Sequence, residues 1–256
     1  MTIHLRILGC SGGIGGDALR TTSLRVDDDI LIDAGTGVGD LTLDELVRID
    51  HVFVTHSHLD HIACLPLMAD SVGDLRDRPV VIHAIPEVIE ILHDHIFNWK
   101  VWPDFTKIPV GQPFLRYEPL AVGQTVELGG RRITALPVDH TVPAVAYRVD
   151  SGAASLVFSG DTGPCDAFWE AVNAIDNLRH LIIECAFPDS ERRLAEVSKH
   201  FCPAMLAAEL GKLQRPCALH ITHLKPALSD ETMAEACDAL SAWNPQRLHG
   251  GQVIAF

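Results

Sequence analysis

Thr55-His56-Ser57-His58-Leu59-Asp60-His61 places three histidines and one aspartate within six residues, directly after the apolar run Val52-Phe53-Val54. The apolar run reads as the end of a buried strand. Alternate residues of a chain leaving a strand point the same way, so His56 and His58 can share one side. Asp60 and His61 fall where a helix would begin and can face a second ion. Imidazole and carboxylate are ligands for zinc and its first-row neighbours. A surface loop that is merely rich in histidine is the plainer reading, but it does not account for the order His-x-His-x-Asp-His behind a strand.

The stretch His56-Ser57-His58-Leu59-Asp60-His61 resembles the signature of the metallo-β-lactamase superfamily. With Ile62 and the leucine-rich continuation, it resembles the class II cyclic-nucleotide phosphodiesterases, a branch close to the tRNA 3′-processing endonucleases. Cys64 stands where that branch usually has Gly or Ser, and Pro66 interrupts its aliphatic run. The resemblance covers nearly the whole chain. It implies a single α/β domain over residues 1–256, a four-layer αββα sandwich of two mixed β-sheets flanked by helices.

Outward from the motif, the alternating segment Ile3 to Leu8 reads as a half-buried strand. It runs into Gly9-Cys10-Ser11-Gly12-Gly13-Ile14-Gly15-Gly16, which fits neither dinucleotide-binding nor Walker spacing. That loop is either a flexible turn or, as in the resembling enzymes, a wall of the site in which Ser11 and Gly12 approach substrate. Asp33 ends a strand. By resemblance it supports the metal loop through hydrogen bonds and is not itself a ligand. The apolar run Ile62 to Met68 reads as a helix; within it Cys64 is read as a small core residue, the alternative being a thiolate ligand, and His83, His93 and His95 are read as ordinary surface or helix residues. The apolar helix after Pro86 is either core or a homodimer face. Residues 97–119 are the least regular stretch. Their aromatics either pack on the body or form a wall that could stack a nucleobase.

Further strand-end residues take their roles from the resemblance. His140, in Pro137-Val138-Asp139-His140, matches the next ligand; Asp161, in Gly160-Asp161-Thr162-Gly163, the carboxylate shared by two metals; His223 the final ligand. The implied pairing is His56, His58, His140 and Asp161 on one metal, with Asp60, His61, Asp161 and His223 on the other. His200, just before a helix, is the candidate for contacting the scissile phosphate and protonating the leaving oxygen. Glu184, at a strand end, either partners that histidine or simply accepts hydrogen bonds from a neighbouring loop. His220 is left structural, and Lys225 either lies near the phosphate or, by default, is a solvated lysine.

Two metals about 3.5–4 Å apart suit in-line displacement at phosphorus through a bridging hydroxide, which Asp60 can orient. The expected activity is therefore metal-dependent hydrolysis of a cyclic nucleotide. Zinc is the expected metal, with manganese or iron also credible. The rival reading within phosphorus chemistry is tRNA 3′-end processing. Others are a lactone or thioester hydrolase and a non-catalytic metal-binding sensor.

The 256 residues are 47% hydrophobic, enough to bury a large core. Asp and Glu number 34 against 20 Lys and Arg, a formal charge of −14. Phosphate contacts need Lys and Arg, so extended nucleic-acid binding is not expected, whereas metals can hold a small phosphodiester. The seven cysteines include no C-x-x-C pair and are expected as reduced thiols in the cytoplasm. No signal-peptide shape is seen, and no apolar run approaches the roughly 20 residues needed to span a membrane.

Overall fold

The computed structural model describes residues 2–16 and 18–256; Met1 and Asp17 lie outside the described residues. Two seven-stranded sheets are built in sequence. The first holds β1 (His4–Gly9), β2 (Ser23–Val26), β3 (Ile30–Ile32), β4 (His51–Phe53), β5 (Val80–Ala84) and β6 (Leu115–Pro119). The second holds β7 (Thr125–Leu128), β8 (Arg131–Pro137), β9 (Val145–Asp150), β10 (Ser155–Phe158), β11 (Leu178–Glu184), β12 (Ala218–Thr222) and β13 (Gln246–Arg247). β14 (Val253–Ala255) returns to the outer edge of the first sheet beside β1. Both sheets follow one plan. An antiparallel meander (β1–β3, β7–β10) gives way to parallel strands (β3–β6, β10–β13).

The strand patterns explain the layers. In β10, Leu156 and Phe158 join the core between the sheets, while Val157 points the other way into a second cluster. That second cluster is closed by α5 (Asp166–Asn173), α7 (Pro203–Leu210) and α8 (Ser229–Ala239). The first sheet is covered by α1 (Leu43–Val47), α3 (Leu65–Val72) and α4 (Pro86–Ile91). Between the sheets, Phe53 meets Tyr147 edge-on at 5.5 Å, and the Tyr147 hydroxyl donates to the Val54 carbonyl at 2.9 Å. The result is the expected αββα sandwich.

Three local readings are corrected. The single helix expected over 62–68 is two, α2 (Leu59–Ile62) and α3. The Cys64 amide donates to the Ala34 carbonyl at 2.8 Å, leaving the helical ladder, and Pro66 has no amide to offer it. The irregular stretch 97–119 ends in a strand, β6, parallel to β5. Its Phe97 and Phe105 are buried in the core, while Trp99 is exposed. His83 is no surface residue: it is buried on β5, stacked on Phe53 at 4.3 Å and 3.0 Å from His51. The seven cysteines are free, and no described helix is long and apolar enough to cross a membrane.

Candidate metal centre

The ends of β4, β8, β10 and β12 converge at one edge of the sandwich, as expected where loops leave the carboxyl ends of strands. β4 delivers His56 and His58, and α2 then carries Asp60 and His61. His140 follows β8, Asp161 follows β10 and His223 follows β12. The side chains form two groups. One is His56, His58, His140 and Asp161; the other is Asp60, His61, Asp161 and His223. Within each group the potential ligand atoms lie within 4.8 Å of one another. Asp161 is common to both.

The distances are short. His58 Nδ1 lies 3.2 Å from both His56 Nε2 and His140 Nε2. Asp161 Oδ2 lies 3.4 Å from His61 Nε2 and 3.6 Å from His56 Nε2. Asp161 Oδ1 is 3.4 Å from His223 Nδ1, and Asp60 Oδ2 is 3.7 Å from His223 Nε2.

Hydrogen bonds from behind fix the rings. Asp33 is fully buried; it accepts from the Thr55 amide at 2.7 Å, the Thr55 hydroxyl at 2.8 Å and His61 Nδ1 at 2.7 Å. His140 Nδ1 donates to the Lys199 carbonyl at 3.1 Å. In each case the proton sits at the rear of the ring and the other nitrogen faces the centre. Among the described residues six non-glycine residues adopt positive φ, and three of them, Asp33, Lys199 and His223, belong to this scaffold. Backbone strain is thus concentrated where side-chain direction is set. Gly160 is left-handed too, and Gly12 lies so close that an added Cβ would sit 2.5 Å from the His223 carbonyl oxygen.

The donor set suits a divalent cation. Burial lowers the proton affinity of His56, His58, His140 and His223, bringing His140 to about 4 and His223 to about 3, so these rings are neutral at pH 7. Neutral imidazole is the form that binds metal. Burial disfavours the Asp161 carboxylate, but His223, His61 and His56 outweigh it and hold the group well below the usual carboxylate range. His61 Nε2 and His223 Nδ1 are buried without a hydrogen-bond partner. Polar atoms orphaned inside a protein are costly, and a cation at the centre would satisfy both.

Beside the centre, His200 Nδ1 pairs with Glu184 Oε1 at 2.7 Å. Glu184 also accepts from the Thr162 amide at 3.1 Å and the Phe201 amide at 3.2 Å. Burial opposes the charged form of His200, yet Glu184 prevails and raises its proton affinity. The His200 ring stacks on His223 at 5.2 Å and meets His140 edge-on at 5.1 Å. Glu184 thus pairs with His200 and accepts from two loop amides.

Ser11 is bridged to Leu224, and Gly12 donates its amide to the Leu224 carbonyl, which seats the glycine loop against the last motif. Cys64 is half-buried against the core and belongs to neither group. His220 approaches His180 at 3.2 Å, away from the centre. Thr55 and Lys199 were not singled out from sequence. Thr55 directly precedes His56 and Lys199 directly precedes His200, so adjacency was the available signal. Lys225 is half-buried, with Nζ 2.9 Å from the Gly12 carbonyl oxygen, which corrects its reading as a solvated lysine.

A family model described as "Beta-lactamase superfamily domain" matches residues 28–249. A probable 3′,5′-cyclic-nucleotide phosphodiesterase of Yersinia pestis is 28% identical over 204 residues, covering 70% of this chain; the match spans only 58% of that relative's length. A ribonuclease Z of Mycobacterium bovis is 28% identical over 211 residues, covering 76% of this chain and 72% of that protein. Among solved structures, the metallo-β-lactamase fold protein YhfI of Bacillus subtilis superposes with a TM-score of 0.78 at 20% identity, covering 100% of both chains.

Proposed function

The chain belongs to the β-lactamase superfamily, and on that premise we propose that it is a metal-dependent phosphodiesterase acting on a cyclic nucleotide. The observation that carries this reading is the pair of ligand groups joined through Asp161. In this reading His56, His58, His140 and Asp161 would hold one divalent cation, and Asp60, His61, Asp161 and His223 would hold a second. Imidazole and carboxylate favour zinc, with manganese or iron able to substitute. Bound cations would supply Lewis-acid stabilisation of a phosphoryl group and lower the pKa of water.

The remaining roles belong to side chains. Asp33 holds His61 in its tautomer, and the Lys199 carbonyl does the same for His140. Asp60 lies at the rim of the centre, where its free oxygen can orient an attacking water. His200, whose proton affinity Glu184 raises, can hold a proton on Nε2, the ring nitrogen not bonded to Glu184. It can donate that proton to the leaving oxygen. Ser11 and Gly12 form the wall beside His223 and Leu224. The whole arrangement acts within one domain, on a small substrate.

The ribonuclease Z relative supports a second reading, tRNA 3′-end cleavage by the same centre. The formal charge of −14 weighs against it, because a long nucleic acid needs many basic contacts. The test is hydrolysis of 3′,5′-cyclic AMP, bis(p-nitrophenyl) phosphate and precursor tRNA by metal-reconstituted protein, with His58→Ala as control. Turnover of cyclic AMP that vanishes in the control supports the proposal. Cleavage of precursor tRNA alone would replace it with the second reading. Cleavage of no phosphodiester by protein with bound metal would overturn both and direct the search to lactones and thioesters.

A further inference from the structure

Lys225 occupies a built position at the rim of the centre. Its amide donates to the Ala186 carbonyl at 3.1 Å, and Pro226 follows, so the base of the side chain is fixed. A Cβ on Gly12 would come within 3.0 Å of Lys225 Cδ, so the glycine makes room for the stem. The ammonium lies 2.9 Å from the Gly12 carbonyl oxygen, 3.4 Å from His223 Nε2 and 6.0 Å from the centre of the Phe187 ring. Phe187 in turn meets His200 edge-on at 5.7 Å. Among the described residues no carboxylate is paired with Lys225, whereas Lys199 and Lys212 both hold one.

Two arguments follow from this placement. One concerns donors. An ammonium has three, and a neutral imidazole has one lone pair. Once His223 gives that lone pair to a cation, its ring can no longer accept from Lys225, and only the Gly12 carbonyl still holds the ammonium. The other concerns charge. The proposed ligands bring two carboxylates, Asp60 and Asp161, against two divalent cations. A fixed positive charge beside that surplus is repelled unless a further anion is present.

We infer that Lys225 is the residue that recognises the negative charge of the substrate. Its freed donors hold a non-bridging phosphoryl oxygen, with Phe187 packing over the stem, and the site thereby selects an anionic phosphodiester over a neutral ester of similar size. The inference rests on the phosphodiesterase reading and gives that site its selectivity.

The test compares metal-reconstituted wild type, Lys225→Gln and Lys225→Arg, with metal content checked in each. Substrates are bis(p-nitrophenyl) phosphate, which is anionic, and p-nitrophenyl acetate, which is neutral; binding of inorganic phosphate is followed by calorimetry. Lys225→Gln is expected to lower kcat/KM for the diester by about ten- to a hundredfold, the range of a charge-assisted hydrogen bond, while leaving the acetate within about twofold. Phosphate affinity should fall about tenfold, and Lys225→Arg should recover most of both losses. Equal losses on both esters, or unchanged phosphate affinity, would overturn the inference. A wild type that cleaves the acetate but no diester would remove the phosphodiesterase reading. The phosphate titration would then decide Lys225 by itself: weaker binding in Lys225→Gln retains the anion seat, and equal binding removes it.

Discussion

The two sheets share a plan but use corresponding positions differently. Asp33 follows β3 and Asp161 follows β10, each the strand at which its sheet turns from antiparallel to parallel. Both carboxylates are buried. Asp33 is enclosed by Thr55 and His61, and burial raises its pKa because these partners only partly offset the lost hydration. Asp161 stands among His56, His61 and His223, and its pKa is driven the other way. Topology thus places a carboxylate, and the groups facing it decide whether it backs a histidine ring or joins both proposed ligand groups. The histidine pairs repeat the lesson. His51 and His83 on β4 and β5 match His180 and His220 on β11 and β12, and neither pair enters the centre.

The sharpest break of this comparison is Asp161→Asn. It removes the charge common to both ligand groups, so hydrolysis should fall at least about a thousandfold and metal analysis should show depleted protein. Retention of both metals with near-normal turnover would remove Asp161 from its shared role. Chelation of wild type should abolish hydrolysis and lower Tm, since buried imidazoles and carboxylates lose their partner, and returning zinc should restore both. An unchanged Tm and rate after chelation would argue against any metal at this centre.

Asp33→Asn probes the supporting counterpart. An amide there still occupies the space but no longer fixes His61 by charge, so metal affinity should drop about 10- to 100-fold while the fold persists. Competition with a chromogenic chelator measures it, and a loss as large as that of Asp161→Asn would erase the distinction. The smallest effect lies far from the centre. The Thr42 amide holds Glu45 in a capping box; with Arg25 added and burial opposing, its pKa falls from 4.5 to about 2. A lowered native pKa contributes stability that is complete above 4.5 and fades as pH falls toward 2. Urea unfolding of Glu45→Gln should therefore show a shallower loss across that window, by about 1–2 kcal/mol in total.

Much of the centre was legible because four of its residues, His56, His58, Asp60 and His61, lie in one stretch. Val52 to His61 announces a buried strand, a turn and a ligand cluster, and no distant residue is needed to see it. His140, Asp161 and His223 were reached only through the resemblance. Each is a lone residue after an apolar run, and such residues are common in any α/β chain. The split of the 62–68 helix was not legible, since it depends on the Cys64 amide finding the Ala34 carbonyl thirty residues away. Nor was the burial of His83, whose partner His51 lies on the neighbouring strand.

Sequence alone determined a strand ending in a His-x-His-x-Asp-His ligand cluster, because strand period and motif order are local properties of the chain; the αββα class came with the resemblance that this motif carries. Tertiary structure decided which nitrogen of His61 and His140 faces inward, that Glu184 and His200 form one pair, and that Lys225 reaches the rim. Those facts depend on contacts between strand ends far apart in sequence, which exist only after the two sheets have packed.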